Sequence, residues 1–205
     1  MRPMKRYDRA YFDRWYRGGD EGVGEPEDLE RNVALAVAVT ESVLAGPVES
    51  VLDVGCGEGR WQPVLNRLRP EATYLGIDPS EYAVERYGSA RNLRPGSFEE
   101  LRYHVFEEPF DLVVCSDVLH YLDDAAIRAG LPALVERCGG VALLETFTAE
   151  DDPEGDRVGF QLRSAAWYRE TFAEFGLVPL GLQLYVPEDV AEDLDALDLA
   201  AWPGR

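Results

Sequence analysis

The chain has 205 residues, of which 46% are apolar and 29% are charged, and this composition excludes a disordered protein. At about 150 residues per domain, the length predicts one main domain. The longest apolar run, residues 33–39, is far shorter than the ~18 residues that suggest a membrane span. The 39 acidic side chains outnumber the 20 basic ones, and the net charge of −19 would repel a nucleic-acid backbone. We therefore expect a soluble protein with neither nucleic acid nor a membrane as its partner.

The cysteines and the first residues bear on the cellular compartment. Cys56, Cys115 and Cys138 are odd in number and show no CxxC spacing, which is typical of reduced thiols. Only two histidines accompany them, and no metal-ligand spacing is present, so no metal site is predicted. The first 17 residues are basic and lack the apolar stretch of a secretory signal. These features predict a cytoplasmic protein, whereas the oligomeric state is not encoded in any recognisable pattern.

Short apolar segments alternate with helical patterns from residue 27 to residue 187. Helical spacing predicts helices over residues 27–45, 61–68, 80–87, 124–138 and 164–175, with stops at Gly88, Gly139-Gly140 and Gly176. Apolar runs predict strands over residues 51–54, 74–77, 91–93, 110–114, 141–144 and 177–186. Alternation at this spacing implies parallel strands joined by right-handed crossovers, which is a doubly wound α/β sheet with helices on both faces.

The chain divides into three predicted parts. Residues 1–26 form a basic and aromatic segment that could act as a lid, residues 27–187 form the α/β domain, and residues 188–205 form an acidic segment. Within that last segment Val190, Leu194, Leu197 and Ala201 are spaced as one face of a helix. We therefore expect the final edge strand to be missing or reduced to residues 196–199.

A glycine loop follows the first predicted strand, in the sequence VLDVGCGEG. Gly55, Gly57 and Gly59 lack a Cβ atom, so the backbone can turn tightly there and approach a ligand. In a doubly wound sheet, ligands bind at the carboxyl ends of the strands where the strand order reverses. The loop therefore predicts a nucleotide site, and a tight turn without a ligand is the alternative.

The loop does not match the common phosphate-binding patterns. A dinucleotide fingerprint would need a glycine at position 60, which is Arg60, and no Gly-Lys-Ser/Thr tripeptide completes a P-loop. Asp78 ends the second strand, where a carboxylate can accept two hydrogen bonds from a ribose diol or, alternatively, cap a helix.

Taken together, VLDVGCGEG, Asp78 in LGIDP, and the segment DLVVCSDVLHYL resemble the class I S-adenosylmethionine-dependent methyltransferases over residues 48–147. The resemblance implies a Rossmann-like fold and S-adenosylmethionine as the cofactor. It places the cofactor's methionine part near Asp53, Gly55, Gly57, Gly59 and Ser116. It also implies that Asp78 binds the ribose, that Pro79 packs on adenine, and that Ser97 and the Phe98 amide contact the adenine edge. Cys56 lies in the same loop, although it can equally be a small residue that fills the turn.

Residues for the methyl acceptor are predicted less specifically. His120 ends a strand and could accept a proton from a substrate hydroxyl or amine, or it could simply pack there. Tyr11 and Trp15, before the fold, and Glu145, after the fifth strand, could face the substrate. The segment CSDV lacks the Asn/Asp-Pro-Pro-aromatic motif of base-amine methyltransferases. The expected acceptor is a hydroxyl, amine or carboxylate of a small soluble molecule. Two alternatives stay open: a domain that binds the cofactor without catalysis and a nucleotide-dependent oxidoreductase.

Overall fold

The computed structural model describes residues 6–17, 26–152, 156–195 and 197–200. Seven α-helices and seven strands lie in these ranges. In chain order they are α1 (Arg9–Arg17), α2 (Pro26–Leu44), β1 (Ser50–Val54), α3 (Trp61–Leu68), β2 (Thr73–Asp78), α4 (Glu81–Arg91), β3 (Leu93–Pro95), β4 (Phe110–Ser116), α5 (Asp124–Glu136), β5 (Cys138–Glu145), α6 (Ala165–Glu174), β6 (Leu177–Gly181), β7 (Leu184–Pro187) and α7 (Glu188–Glu192).

The seven strands form one sheet in the order β3-β2-β1-β4-β5-β7-β6. The first five strands are parallel, and β7 runs antiparallel to both β5 and β6. The predicted doubly wound α/β fold is therefore confirmed. The strand order reverses between β1 and β4, so their carboxyl ends form the crevice where such sheets bind ligands.

Apolar side chains cover both faces of the sheet. Val51 and Leu112 pack with α2 and α3 on one face, whereas Leu52 and Val113 pack with α5 and α6 on the other. All four side chains are fully buried. Burial on both faces explains why the strands appear in the sequence as short, continuous apolar runs. No helix within the described ranges has the length and the hydrophobicity to span a membrane.

The predicted single strand over residues 177–186 is wrong. The chain forms a hairpin there, in which β6 and β7 are joined by a turn at Leu182 and Gln183, and β7 is the seventh strand. Both turn residues have positive φ angles, 51° and 62°. Such turns usually carry Asn or Gly, so the sequence contains little sign of the turn.

The predicted C-terminal helix face is also wrong. Helix α7 ends at Glu192, and the side chain of Leu197 is 98% exposed rather than packed. Residues 198–200 do not form a strand, and neither do the described residues 195 and 197 beside them. Ala196 and Ala201 lie outside the described residues.

Two predicted helix stops are displaced. Helix α4 continues through Gly88 to Arg91, and Asn92 ends it in the left-handed conformation with φ of 54°. Glycine inside a helix costs only about 1 kcal/mol relative to alanine, so Gly88 does not stop it. Helix α5 ends at Glu136, and Gly139 and Gly140 belong to β5. A Cβ atom at Gly140 would lie 2.4 Å from the Asp111 carbonyl oxygen, so close contact between β4 and β5 requires glycine there.

Candidate active site

A cavity of about 440 Å³ opens at the carboxyl ends of β1, β4 and β5. These strands contribute Asp53, Ser116 and Glu145, and the loops that follow them contribute further residues. The other walls come from α1, α2, the start of α3 and the loop before α6. The full lining is Tyr11, Tyr16, Asp28, Leu29, Asn32, Asp53, Gly55, Cys56, Arg60, Trp61, Ser116, Asp117, His120, Tyr121, Glu145, Phe147, Asp156 and Phe160.

The glycine loop forms one edge of the cavity, and its conformation requires glycine. Gly55, Gly57 and Gly59 have φ angles of 78°, 53° and 69°. A Cβ atom at Gly55 would lie 2.2 Å from Val118 Cγ2, and one at Gly59 would lie 2.8 Å from Leu93 Cδ2. The loop is thus fixed by backbone conformation and by packing against β3 and the segment after β4.

Asp53 is a buried carboxyl group at the cavity. Its side chain is 2% exposed, and its Oδ2 accepts a 2.7 Å hydrogen bond from the Tyr74 hydroxyl. Burial raises the pKa of Asp53 to about 7, and the charge of Asp78 acts in the same direction, whereas the Tyr74 hydrogen bond opposes it. Burial also raises the pKa of the neighbouring Cys56 thiol.

Asp78 holds the glycine loop in place. Its Oδ2 accepts the Gly57 N–H at 2.7 Å, and its Oδ1 accepts the Ser80 N–H at 2.8 Å. The cap of α4 is Ser80, whose hydroxyl oxygen accepts the Ala83 N–H, so Asp78 is not the helix cap. A carboxylate has about four acceptor positions, so two hydrogen bonds to the backbone leave room for two from a ribose diol.

Glu145 is fixed between α2 and β4. Asn32 donates a 3.0 Å hydrogen bond from Nδ2 to Glu145 Oε1, and the Ser116 hydroxyl donates to Oε2. The Asp117 N–H donates to the Glu145 carbonyl oxygen at 3.0 Å. These three contacts bring the ends of β4 and β5 together and place two carboxylates, Asp117 and Glu145, on one wall.

His120 is 2% exposed and lies in a short 3₁₀ helix, Leu119–Tyr121, after β4. Its Nδ1 lies 3.4 Å from the Phe147 backbone nitrogen and 3.2 Å from the Thr146 hydroxyl. Nδ1 therefore faces two groups inside the protein, and the tautomer of the ring decides which of them it bonds. The role of proton acceptor stays a prediction for His120.

Helix α1 lies directly over the glycine loop. Phe12 is 2% exposed and packs with Tyr16 and Tyr82 at ring-centroid distances of 5.1 and 5.6 Å. A Cβ atom at Gly57 would lie 3.1 Å from the Tyr16 hydroxyl oxygen and 3.3 Å from Phe12 Cε1. Arg17 Nη2 donates to both carboxylate oxygens of Glu58, at 2.6 and 2.8 Å, and so fixes the end of the helix.

The structure brings seven of the predicted site residues together around the cavity and leaves seven outside its lining. Inside are Tyr11, Asp53, Gly55, Cys56, Ser116, His120 and Glu145; outside are Trp15, Gly57, Gly59, Asp78, Pro79, Ser97 and Phe98.

The seven outside residues make other contacts. Trp15 carries the Arg14 guanidinium 4.6 Å above its ring, and Pro79 is exposed. The Ser97 N–H and hydroxyl both donate to Glu100 Oε2 at 3.0 Å. Phe98 is a core residue that packs against Gly130. Gly57 and Gly59 remain part of the loop, and Asp78 holds it.

Several lining residues were not found from the sequence. In the sequence, Arg60 is marked only as a mismatch to the dinucleotide pattern, and Asp117 only as part of the segment DLVVCSDVLHYL. Asn32, Asp156 and Phe160 come from a helix and a loop that no motif marks. In the described part of the chain, no three His, Cys, Asp or Glu side chains are arranged to hold a metal ion.

The chain matches one protein family over most of its length. A family model described as a methyltransferase domain matches residues 26–202. Trans-aconitate 2-methyltransferase of Azoarcus sp. (strain BH72) is 29% identical over 175 residues, which are 75% of this chain and 63% of the relative. Ubiquinone biosynthesis O-methyltransferase of Xanthomonas euvesicatoria pv. vesicatoria is 32% identical over 146 residues, 67% of this chain and 57% of the relative. The chain thus spans less than two thirds of the length of these two relatives.

Solved structures support the same fold. DesVI of Streptomyces venezuelae superposes with a TM-score of 0.64 at 17% identity, over 86% of this chain and 96% of that one. S-adenosylmethionine-bound CalS10, an amino pentose methyltransferase from Micromonospora echinaspora, gives a TM-score of 0.62 at 17% identity, over 89% and 97% of the two chains. The family match covers the whole sheet and every lining residue of the cavity except Tyr11 and Tyr16. The chain therefore belongs to the class I S-adenosylmethionine-dependent methyltransferases.

Proposed function

We propose that this protein transfers a methyl group from S-adenosylmethionine to a hydroxyl, amine or carboxylate of a small soluble molecule. The observation that carries the proposal is one cavity that joins the glycine loop to a polar and aromatic chamber. The loop side suits the cofactor, and the chamber between α2 and the 156–160 loop suits a small acceptor. The free thiols of Cys56, Cys115 and Cys138 suit a reducing compartment such as the cytoplasm.

The cavity contains complementary groups for an amino-acid zwitterion. Asp53 offers a carboxyl group and Arg60 a guanidinium, and both line the same cavity. They would bind the ammonium and the carboxylate of the cofactor's methionine part, while Asp78 would accept the ribose hydroxyls. Pro79, Ser97 and Phe98 stay proposed adenine contacts. The cofactor supplies an electrophilic methyl group on a sulfonium.

The chain's own groups would position the acceptor for in-line attack. Holding two reactants in alignment can supply roughly 7–11 kcal/mol of a barrier, so few dedicated catalytic side chains are needed. Glu145, fixed by Asn32 and Ser116, would orient the acceptor. His120, which lines the same cavity, would contact the acceptor's hydroxyl or amine.

The experiment is a transfer assay with labelled S-adenosylmethionine against a panel of small metabolites, with and without a chelator. We expect methylation of a small acceptor at a rate that the chelator does not change. Cofactor binding without transfer to any acceptor would indicate a binding domain instead. Robust methylation of DNA or RNA would contradict the proposed substrate class.

A further inference from the structure

The cavity wall carries an excess of negative charge. Five of its lining residues are acidic, namely Asp28, Asp53, Asp117, Glu145 and Asp156, while Arg60 is the one Lys or Arg within the described lining. Asp28 accepts a hydrogen bond from Arg31, which does not line the cavity. If Asp53 and Arg60 are matched by the cofactor zwitterion, the carboxyl groups of Asp117 and Glu145 remain for the acceptor's part of the cavity.

Asp117 is held in an unusual conformation. Its φ angle is 59°, in the left-handed region that non-glycine residues seldom adopt, although Asp tolerates it better than most. The Asp117 N–H is fixed by the Glu145 carbonyl, and its carboxyl group makes no hydrogen bond to any described residue. Because Asp117 is exposed and lines the cavity, its carboxyl group is accessible to a ligand there.

Surrounding protein groups affect the ionisation of Asp117. Asp117 is exposed to the cavity rather than buried, and the protein atoms around its carboxyl group raise its pKa, with the charge of Glu145 acting in the same direction. Two carboxylates close together repel each other, and a cation between them relieves that repulsion. The site therefore stabilises a positively charged ligand more than a neutral one.

An aromatic wall closes the same chamber. Phe160 lies 4.9 Å from Tyr121 and 6.4 Å from Phe147, measured between ring centroids, and all three side chains line the cavity. The Tyr121 hydroxyl donates to the Asp156 carbonyl at 2.7 Å, and the Gln161 N–H donates to the His120 carbonyl at 2.8 Å, so the loop is tied to the end of β4. Aromatic faces attract cations, because the faces of the rings carry partial negative charge.

We propose that the methyl acceptor is an amine that enters as an ammonium ion between the carboxylates of Asp117 and Glu145 and the aromatic wall. This inference rests on the proposed function and narrows its acceptor class. The ammonium gives one proton to Asp117, and the freed nitrogen lone pair forms a bond to the methyl carbon. The carbon–sulfur bond breaks, its electron pair stays on the sulfur, and the N-methylated ammonium leaves. Asp117 then loses its proton to solvent.

The other two acceptor classes fit this wall less well. A carboxylate acceptor would face Asp117 and Glu145 without a described lysine or arginine on its side of the cavity, so like charges would repel it. A neutral hydroxyl could hydrogen-bond to one carboxylate but would not relieve the repulsion between them. The charges that line the cavity therefore favour an amine acceptor over a hydroxyl or a carboxylate, which the sequence motifs do not distinguish.

The test uses three probes of closely similar shape: 2-phenylethylamine, 2-phenylethanol and phenylacetate. Calorimetry measures their affinities for the full chain saturated with S-adenosylhomocysteine, in the wild type, in Asp117→Asn and in the control Glu108→Gln. Asparagine tolerates the left-handed conformation as aspartate does, so Asp117→Asn removes the charge with little backbone strain. Glu108 is exposed and precedes β4, whose opposite end reaches the cavity, and its variant controls for net charge.

We expect the amine to bind at least tenfold more tightly than the alcohol, and the carboxylate to bind most weakly. Asp117→Asn should weaken amine binding about tenfold and leave alcohol binding and the affinity for S-adenosylhomocysteine unchanged, while Glu108→Gln changes none of them. Glu145→Gln is the second variant and should weaken amine binding in the same way. The inference is overturned if 2-phenylethylamine binds no more tightly than 2-phenylethanol and phenylacetate, or if none of the three binds.

The two proposals fail in different ways. If the wild type does not bind S-adenosylhomocysteine at all, the proposed function fails. If the wild type binds S-adenosylhomocysteine but methylates only hydroxyl or carboxylate acceptors in the transfer assay, the proposed function stands and the amine inference is wrong.

Discussion

At the scale of single residues, the carboxyl group of Asp53 makes the stability of the fold depend on pH. Its carboxyl group is buried, and its pKa is raised from 3.8 to about 7. Between about pH 4 and pH 7 the folded chain therefore keeps a proton that the unfolded chain has lost. The free energy of unfolding must decrease as the pH rises through this window, because the folded state binds more protons than the unfolded one.

Asp53→Asn should remove the share of this dependence that Asp53 contributes, while Asp78 and Asp117, whose pKa values are also raised, keep theirs. Asparagine keeps an oxygen that can accept the Tyr74 hydroxyl and carries no charge to bury. We expect the variant to be more stable than the wild type at pH 8, by about 1 kcal/mol or more, and equally stable near pH 4. Urea denaturation at both pH values, with Glu108→Gln as the control for net charge, measures the difference. Equal stability of variant and wild type at pH 8 would contradict the burial of an ionisable carboxyl group.

At the scale of elements, helix α1 covers the glycine loop through Phe12. Truncation of a buried phenylalanine costs about 3–5 kcal/mol where the cavity cannot collapse. Because α1 is peripheral, we expect Phe12→Ala to reduce stability by about 2–3 kcal/mol and to weaken S-adenosylhomocysteine binding. Thermal unfolding with and without the ligand tests this, and Trp15→Ala is the matched control on the same helix. Unchanged stability and affinity in Phe12→Ala would mean that α1 is neither part of the core nor a cover.

The β6–β7 turn gives a second prediction at this scale. Leu182 is 75% exposed and has a φ angle of 51°, which an asparagine adopts at lower cost. Leu182→Asn should therefore raise stability by about 0.5–1 kcal/mol, or roughly 1–4 °C in Tm. Gln183 is left in place, because its side chain accepts the Thr146 N–H at 2.7 Å. A lower Tm in Leu182→Asn would show that the leucine side chain contributes more than the strained turn costs.

The elements show how far the sequence predicts the fold. Helix α3 begins and ends at Trp61 and Leu68 as predicted, because its apolar spacing and Pro70 are local signals. The sequence does not predict the β6–β7 hairpin, because its Leu182-Gln183 turn carries no Gly or Asn signature. The hairpin is stabilised instead by the pairing of β7 with β5. The glycines of β5 resembled a helix stop because the close contact with Asp111 that requires Gly140 is a tertiary feature.

The candidate site also has one part that local sequence signals predict and another that depends on tertiary contacts. Asp53, Gly55 and Ser116 follow strands whose positions the sequence predicts, so their place at the cavity could be predicted as well. Asn32 and Phe160 reach the cavity from α2 and from a loop before α6, and only the folded chain brings them there. No periodicity or spacing in the sequence encodes such long-range contacts.

At the scale of the whole molecule, charge and cavity point to the same class of ligand. The net charge of −19 disfavours polyanions at long range, and the acidic cavity wall disfavours anions at short range. The cofactor, with a sulfonium and an ammonium against one carboxylate, carries net positive charge and suits both. Its binding is therefore the step on which the proposed function depends.

The most direct test of that step is a calorimetric titration of the wild type and of Asp78→Ala with S-adenosylhomocysteine and with NAD. We predict binding of S-adenosylhomocysteine and none of NAD, whose pyrophosphate would meet neither a glycine at position 60 nor a P-loop lysine. Asp78→Ala removes the charged hydrogen bonds to the ribose, so we expect the variant to bind S-adenosylhomocysteine more weakly by about 1.5–3 kcal/mol. Equal or tighter binding of NAD would contradict the assignment of the cavity, and unchanged affinity in Asp78→Ala would contradict the ribose role of that carboxylate.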